Sequence, residues 1–169
     1  INFTPLDYSE SMNGEEILTK TSTGREFAHL LEKATLFPIF QDANNEILSM
    51  PPIINSNDTG KVTETTKDVF VECSGFDLNV LKKALNIVVC SLADMGGKIY
   101  ETKLKYKKQE TTPNLTPQKI KLNKTYANKI LGLKLKDSEI NTLLEKMGYN
   151  YNNGEVSIPP YRTDILHEI

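Results

Sequence analysis

The chain has 169 residues, of which 38% are hydrophobic and 25% are charged, a composition typical of one medium-sized globular domain or two small ones. No apolar run approaches the roughly 20 residues that a membrane span needs, and no basic start followed by an apolar stretch predicts a signal peptide. Residues 1–102 carry 8 basic against 15 acidic side chains and residues 103–169 carry 12 against 7, an asymmetry that indicates two modules.

Near residue 30, the apolar spacing from Phe27 to Ala34 predicts a helix. Two short strands are predicted at 37–40 and 46–48, separated by a polar turn. Pro51-Pro52 ends the second strand, because a proline cannot donate a hydrogen bond to a sheet. The polar residues 55–68 are typical of a loop.

An α+β domain is predicted for the following stretch, with a mixed sheet and packed helices. Val69 to Ser74 alternates apolar and polar residues, which predicts a strand with Glu72 and Ser74 on one face. Asp77 is a good N-cap for a long amphipathic helix that ends at Gly96-Gly97. A further strand is expected from Ile99 to Tyr106.

A change in composition between Lys107 and Pro113, charged and then rich in threonine, predicts a domain boundary. We therefore expect one domain over residues 1–110 and a smaller one over residues 111–169. The second is predicted to contain a strand at 119–122, a helix from Asn123 to Gly132, a helix from Asp137 to Gly148, and a hairpin around Asn152-Asn153-Gly154. This order of elements is typical of a winged-helix-like domain.

The cysteines and histidines predict no metal centre. Cys73 and Cys90 belong to no Cys-x-x-Cys pair or Cys/His cluster, so we expect two buried free thiols in a reducing compartment. His29 and His167 are far apart in the sequence. Because the chain begins with Ile1 rather than Met, we expect it to be a piece of a longer protein.

Three motifs carry functional information, and each also has a purely structural interpretation. The run from Leu48 to Ser56 places two prolines between apolar and small polar residues, which fits a pocket rim or simple packing at a strand end. Glu72 and Ser74 form either the floor of a polar pocket or part of a solvated sheet face. Pro159 to Ile165 contains Arg162 and Asp164, which fit a surface ion pair.

In this order and spacing, the motifs resemble the β subunit of phenylalanyl-tRNA synthetases of the archaeal and eukaryotic-cytosolic type. Ser49-Met50-Pro51-Pro52-Ile53-Ile54-Asn55 and Phe70-Val71-Glu72-Cys73-Ser74-Gly75 are similar to the editing domain of that family. Thr23 to His29 also fits, and Pro159 to His167 resembles the end of the small fifth domain of that subunit. At Phe76 the family often has a small polar residue, a difference that bears on pocket specificity.

The resemblance implies hydrolytic editing of tyrosine that has been mischarged onto tRNA(Phe). An apolar pocket for phenylalanine rejects an added hydroxyl by only about 10²-fold, whereas a site that binds the hydroxyl discriminates by about 10⁴–10⁵. We expect Glu72 to accept the phenol hydrogen and a positioned water to attack the ester. The implied catalytic residues are Ser49, Glu72 and Ser74. The implied pocket residues are Phe40, Met50, Pro51, Asn55 and Asp77.

The same resemblance implies the partners and cofactors of the whole enzyme. Asp164 would begin an acidic cluster that binds Mg²⁺, with the remaining ligands beyond Ile169; one carboxylate cannot supply the near-octahedral oxygen shell of that ion. ATP would be used by the full enzyme and not bound by this chain. The implied partners are tRNA(Phe) and an α subunit in a cytoplasmic α2β2 heterotetramer without membrane attachment.

Two other classes of function remain open from the sequence. The lysine-rich second half fits a non-catalytic nucleic-acid-binding module that acts through charge. It also fits a module that assembles the subunits. A steep salt dependence of binding would favour the first, and loss of assembly without loss of hydrolysis after deletion of residues 113–169 would favour the second.

Overall fold

The computed structural model describes residues 1–168 and divides the chain into two compact units, Ile1–Phe70 and the part from Val71 onward. Over those residues the α+β class is confirmed, with five α-helices and ten short strands. The strands are distributed over four small antiparallel sheets. Within residues 1–168 no helix has both the length and the apolar character needed to cross a membrane.

The first unit packs short strands and helices around a small core. Its elements are β1 (Asn2–Phe3), β2 (Met12–Asn13), α1 (Gly14–Lys20), α2 (Ser22–Phe27), a 3-10 turn (Ala28–Leu31), β3 (Phe40–Gln41), β4 (Ile47–Met50) and β5 (Ile54–Asn55). Strands β1 and β2 pair, and β4 lies between β3 and β5. The buried core consists of Phe3, Met12, Ile17, Met50 and Ile53. Where the sequence predicted one helix from Phe27 to Ala34, the structure has the end of α2 and the 3-10 turn.

Helix α1 lies in a stretch for which no helix was predicted, although the sequence contains a signal for it. The Asn13 side chain accepts a hydrogen bond from the Glu16 backbone N–H, and the Glu16 carboxylate accepts one from the Asn13 N–H. This reciprocal capping box satisfies two backbone donors that the first turn leaves unpaired. The spacing of Asn13 and Glu16 before the apolar Ile17 and Leu18 is the pattern that would have predicted α1.

The second unit contains one long helix, an isolated hairpin and a compact C-terminal part. Its elements are α3 (Leu78–Asp94), β6 (Thr102–Lys105), β7 (Gln109–Thr112), β8 (Gln118–Lys121), α4 (Lys124–Leu131), α5 (Asp137–Lys146), β9 (Asn150–Asn152) and β10 (Glu155–Ile158). Strand β10 lies between β8 and β9, and β6 pairs with β7. Tyr149, Val156 and Ile158 form the buried core of the C-terminal part.

Most of the local signals in the C-terminal part are confirmed. The Asn123 side chain caps α4 by accepting from the Tyr126 N–H at 3.0 Å, and Gly132 ends this helix with a φ of 68°. Asn153 and Gly154 both have positive φ in the turn between β9 and β10, as a tight Asn-Gly hairpin requires. Asp137 is the first residue of α5 rather than its N-cap, which is Lys136.

Two predictions about residues 69–113 are wrong in detail. No strand forms from Val69 to Ser74, where an alternating sequence finds no neighbouring strand to satisfy its backbone groups. Residues 107–113, where the change in composition predicted a domain boundary, contain β7, which pairs with β6. The compact units divide after Phe70, and a domain boundary after residue 110 stays a prediction.

Candidate functional site

Strand β4 and the turn after it hold the first half of the predicted pocket. Ser49 is 8% exposed and pairs in register with Phe40 on one side and Asn55 on the other. The Asn55 amide donates to the Gly60 carbonyl at 3.1 Å, so it holds the following turn in place. The peptide bond between Pro51 and Pro52, which separates β4 from β5, is cis.

Met50, predicted to line the pocket, lies entirely inside the core of the first unit. Its side chain is 0% exposed and belongs to the same cluster as Ile17 and Ile53. In this arrangement Met50 stabilises the core and has no surface open to a ligand. Its assignment to the pocket stays a prediction, and contact with a substrate ring would require this part of the core to open.

Phe40 offers an aromatic surface at the edge of β3. Its ring contacts the ring of Phe70 edge to face, with the centroids 5.8 Å apart and the planes at 61°. Phe40 is 37% exposed, so part of its ring remains accessible. This edge-to-face geometry is favourable for aromatic pairs, and it identifies Phe70 as a further aromatic residue beside Phe40.

Glu72 and Ser74 form the polar centre of the second half of the predicted site. The Ser74 hydroxyl donates a hydrogen bond to Glu72 Oε1. No strand forms at these two residues, and their side chains are in direct contact. The two side chains therefore form one hydrogen-bonded polar group, in which the hydroxyl bonds one carboxylate oxygen of Glu72.

Cys73, between these two residues, is not an activated nucleophile. Partial burial and, to a smaller extent, the neighbouring Glu72 charge raise the pKa of its thiol. A thiol with a raised pKa is mostly protonated near neutral pH, whereas catalytic cysteines depend on the thiolate. Cys73 therefore lacks the activation that a catalytic thiolate needs.

Asp77, also predicted to belong to the pocket, has a clear structural task. Its carboxylate accepts from the backbone N–H groups of Asn79 at 2.8 Å and Val80 at 3.2 Å. These bonds cap the start of α3, which begins four residues after Ser74. The residues predicted to form the site are divided between the two units. The first unit contains Phe40, Ser49, Met50, Pro51 and Asn55, and the second contains Glu72, Ser74 and Asp77. A joint pocket built from both sets stays a prediction.

Asp164, predicted to be the first ligand of a magnesium cluster, is paired with an arginine, and its role in such a cluster stays a prediction. Both carboxylate oxygens accept from Arg162, at 2.9 Å from Nε and 2.9 Å from Nη2, and this bond lowers the pKa of Asp164. The Arg162 guanidinium also lies 4.9 Å from the centre of the Tyr149 ring. Within residues 1–168 no three His, Cys, Asp or Glu side chains are grouped to hold a metal, whereas Mg²⁺ needs several oxygen ligands.

The second unit contains an open cleft that no sequence motif predicted. This cleft has a volume of about 630 Å³ and is lined by α3, β7 and residues 113–117. An ion pair between Lys82 of α3 and Glu110 of β7 lies among its lining residues. On the same helix, the Asn86 amide donates to the Asn114 carbonyl at 2.9 Å. None of the residues predicted to be catalytic lines this cleft.

Comparison with known proteins agrees with the resemblance seen in the sequence. The profile of the tRNA synthetase B5 domain matches residues 120–169. The chain is 46% identical to the "Phenylalanine--tRNA ligase beta subunit" of Pyrococcus furiosus over 98% of its own length and 31% of that protein. It is 45% identical to the protein of the same name from Thermococcus kodakarensis over 98% of its own length and 30% of that protein.

A solved structure has the same fold. It is the crystal structure of an N-terminal fragment of the phenylalanyl-tRNA synthetase β subunit from Pyrococcus horikoshii. The match has a TM-score of 0.89 and 39% identity, and covers 99% of this chain and 50% of the solved one. The chain spans about a third of the length of the curated relatives it matches. Over the stretch that it spans, this chain belongs to the family of phenylalanine–tRNA ligase β subunits.

Proposed function

We propose that this chain is the part of a phenylalanine–tRNA ligase β subunit that hydrolyses tyrosine mischarged onto tRNA(Phe). The observation that carries the proposal is the hydrogen-bonded pair of Glu72 and Ser74 in a chain whose relatives bear that name. A ligase that charges tRNA with phenylalanine needs such an activity, because its apolar pocket excludes tyrosine by only about 10²-fold.

Glu72 is assigned the recognition of the tyrosine hydroxyl. Ser74 occupies one oxygen of its carboxylate and thereby orients the group, which leaves the other oxygen to accept the phenol hydrogen. A phenylalanine ring in the same place would leave this acceptor unpaired, and that loss makes such a site selective. Glu72 therefore contributes to selectivity, and its effect is measured as the rate of tyrosine release relative to the rate of phenylalanine release.

The attacking water is assigned to Ser49 rather than to Ser74. The phenol oxygen and the ester carbon are at opposite ends of the tyrosyl group, so a hydroxyl in contact with Glu72 cannot serve both ends. Ser49 is held by β-sheet pairing on both sides, which gives its hydroxyl a fixed position. Phe40 supplies the aromatic contact for the substrate ring.

Other activities of the ligase are assigned to the rest of the enzyme. Activation of phenylalanine with ATP and Mg²⁺ would take place on an α subunit, and this chain would contain no aminoacylation site. The proposed assembly is a cytoplasmic α2β2 heterotetramer that binds tRNA(Phe). Residues 120–169 match the B5 domain. The alternative function for the second half of the chain is therefore a nucleic-acid-binding or subunit-assembly module.

The test is deacylation of tyrosyl-tRNA(Phe) and phenylalanyl-tRNA(Phe), measured for the chain and for the β subunit with its α partner. We expect loss of tyrosine and retention of phenylalanine. Glu72→Ala should lower the ratio of the two rates by about tenfold or more, the size expected for a hydrogen bond to a charged group. Glu64→Gln, on an exposed loop of the first unit, is the control.

Two outcomes would contradict the proposal. One is a Glu72→Ala variant with the same ratio of tyrosine to phenylalanine release as the Glu64→Gln control. The other is the absence of tyrosyl-tRNA hydrolysis both in the chain and in the assembled subunits. A low rate in the chain alone with full activity in the assembled subunits would place tRNA binding elsewhere, and leave the assignment of Glu72 intact.

A further inference from the structure

The hairpin of β6 and β7 has one face that is strongly basic. Lys103 pairs in register with Thr111, and Lys105 pairs with Gln109. Directly paired residues of an antiparallel hairpin point to the same side, so these four side chains share one face, and all four are exposed. Lys107 and Lys108 extend the positive charge into the exposed turn. We call this surface the lysine face.

The opposite face of the hairpin is directed towards the rest of the second unit. Thr102, Leu104, Glu110 and Thr112 alternate with the lysine-face residues and are half-buried. Glu110 forms an ion pair with Lys82 of α3, which fixes this side of the hairpin against the helix. The lysine face is therefore turned away from α3 and is open.

Within the described residues, no ion pair neutralises the positive charge of the lysine face. From residue 98 to residue 108 the sequence has five lysines and one acid, Glu101. The described ion pairs use Lys82, Lys119 and Lys124 in this unit. In residues 1–168 none of the four lysines of the face or its turn is part of an ion pair. Neighbouring like charges repel one another, so this arrangement favours a polyanion as partner.

We propose that the lysine face binds the sugar–phosphate backbone of an RNA. Lysines without internal partners release counterions when they contact phosphates, which is the main source of affinity for nucleic acids. Tyr106 lies between Lys105 and Lys107 in sequence, in the turn of the hairpin, and is 77% exposed; exposed aromatic rings close to positive charges are the surfaces on which unpaired bases stack. An acidic peptide would make no such use of the ring. The choice of tRNA as the RNA rests on the proposed function, whereas the charge argument does not.

This surface lies outside residues 120–169, the range matched by the B5 domain. It is also separate in sequence from Glu72 and Ser74. The inference therefore adds a contact region for the nucleic acid that neither the comparison nor the proposed editing residues assign.

The test measures binding of the chain to a tRNA(Phe) transcript by fluorescence anisotropy over a range of salt concentrations. Lys103→Gln with Lys105→Gln should lower the slope of log affinity against log salt by about one for each lysine. The matched control is Lys33→Gln with Lys67→Gln, which removes the same charge from exposed positions of the first unit. The control should leave the slope unchanged. Circular dichroism melting checks that both double variants fold.

Tyr106 supplies an independent measurement. Tyr106→Ala should weaken binding by about fivefold or more, whereas Tyr106→Phe, which keeps the ring, should bind like the wild type. Equal slopes for the two lysine double variants would overturn the inference, because the effect would then be one of net charge alone. Stronger binding to phosphatidylserine vesicles than to tRNA, lost in the Lys103/Lys105 variant, would overturn it in favour of a membrane.

Failure of the editing proposal remains distinguishable from failure of this inference. If tyrosyl-tRNA is not hydrolysed but the salt slope still depends on Lys103 and Lys105, the RNA contact stands without the editing activity. If hydrolysis proceeds and the slope does not depend on these lysines, the editing proposal stands and the lysine face is not the contact.

Discussion

Thr21 joins two helices of the first unit, and its replacement gives a sharp test of how that unit is held together. The side chain is 0% exposed. Its Oγ1 donates to the Ile17 carbonyl at 2.7 Å, and it accepts from the Gly24 N–H at 2.9 Å. The first bond closes the end of α1 and the second caps the start of α2. A Cβ at Gly24 would collide with the Ile17 carbonyl oxygen, so the two helices are in close contact here.

Thr21→Val keeps the shape of the side chain and removes the hydroxyl. The Ile17 carbonyl still accepts from the Thr21 backbone N–H at 3.3 Å, so the main loss is the acceptor for the Gly24 N–H. A buried donor left unpaired costs about 1–3 kcal/mol, and loss of a helix cap costs about 0.5–2 kcal/mol. Both ranges describe the same bond and are not added, so we expect a destabilisation of about 2 kcal/mol.

Urea unfolding of the chain, followed by circular dichroism, measures this difference. Thr19→Val is the matched control, because Thr19 is exposed and bonds the Glu15 carbonyl at 2.8 Å in the same helix. We expect the control to change stability by less than about 0.5 kcal/mol. Thr21→Ser, which keeps the cap and loses one methyl group, should cost about 1 kcal/mol. The reasoning is refuted if Thr21→Val costs no more than Thr19→Val, or if serine costs as much as valine.

Two further predictions concern carboxylates of the second unit. Asp77→Ala should destabilise α3 by about 1 kcal/mol through loss of its cap, whereas Asp77→Asn, an equally good cap, should not; urea unfolding of the two variants checks this, and equal losses would contradict it. Arg162 lowers the pKa of Asp164 below the ordinary value of 3.8, so the pair stabilises the fold above that pH and loses its effect as the pH falls through the lowered pKa. In thermal melts, Asp164→Asn should therefore be less stable than wild type at neutral pH and equal to it in strong acid. A difference in melting temperature between wild type and Asp164→Asn that does not change with pH would contradict this.

The parts of the fold that the sequence predicted correctly depend on local chemistry. Asn123 and Gly132 bound α4 because one side chain caps the first turn and one glycine adopts a positive φ after the last. Asp77 begins α3 for the same reason. The Asn153-Gly154 turn fixes the hairpin through two positive φ angles. Each signal lies within a few residues of the structure it predicts.

The errors concern elements whose existence depends on distant partners. Val69 to Ser74 has the alternating pattern of a strand but pairs with no neighbouring strand. The alternation depends only on the segment itself, so it does not indicate whether a partner strand is present. Strand β7 has the polar composition of a linker and forms because β6 lies opposite. For the site, an apolar residue beside two prolines fits a pocket or a core equally well; the sequence did not predict that Met50 is fully buried, and its assignment to the pocket stays a prediction.

The contact between Glu72 and Ser74 changes how the predicted site would work. With the two groups apart, one could recognise the phenol while the other placed the water, and either variant would affect both rate and selectivity. With the groups in contact, the proposal assigns recognition to this pair and the attacking water to Ser49, and both assignments stay predictions. Only interactions that differ between tyrosine and phenylalanine contribute to the choice between them. Loss of Glu72 should then bring the two rates together, whereas loss of the Ser49 hydroxyl should lower both rates in proportion.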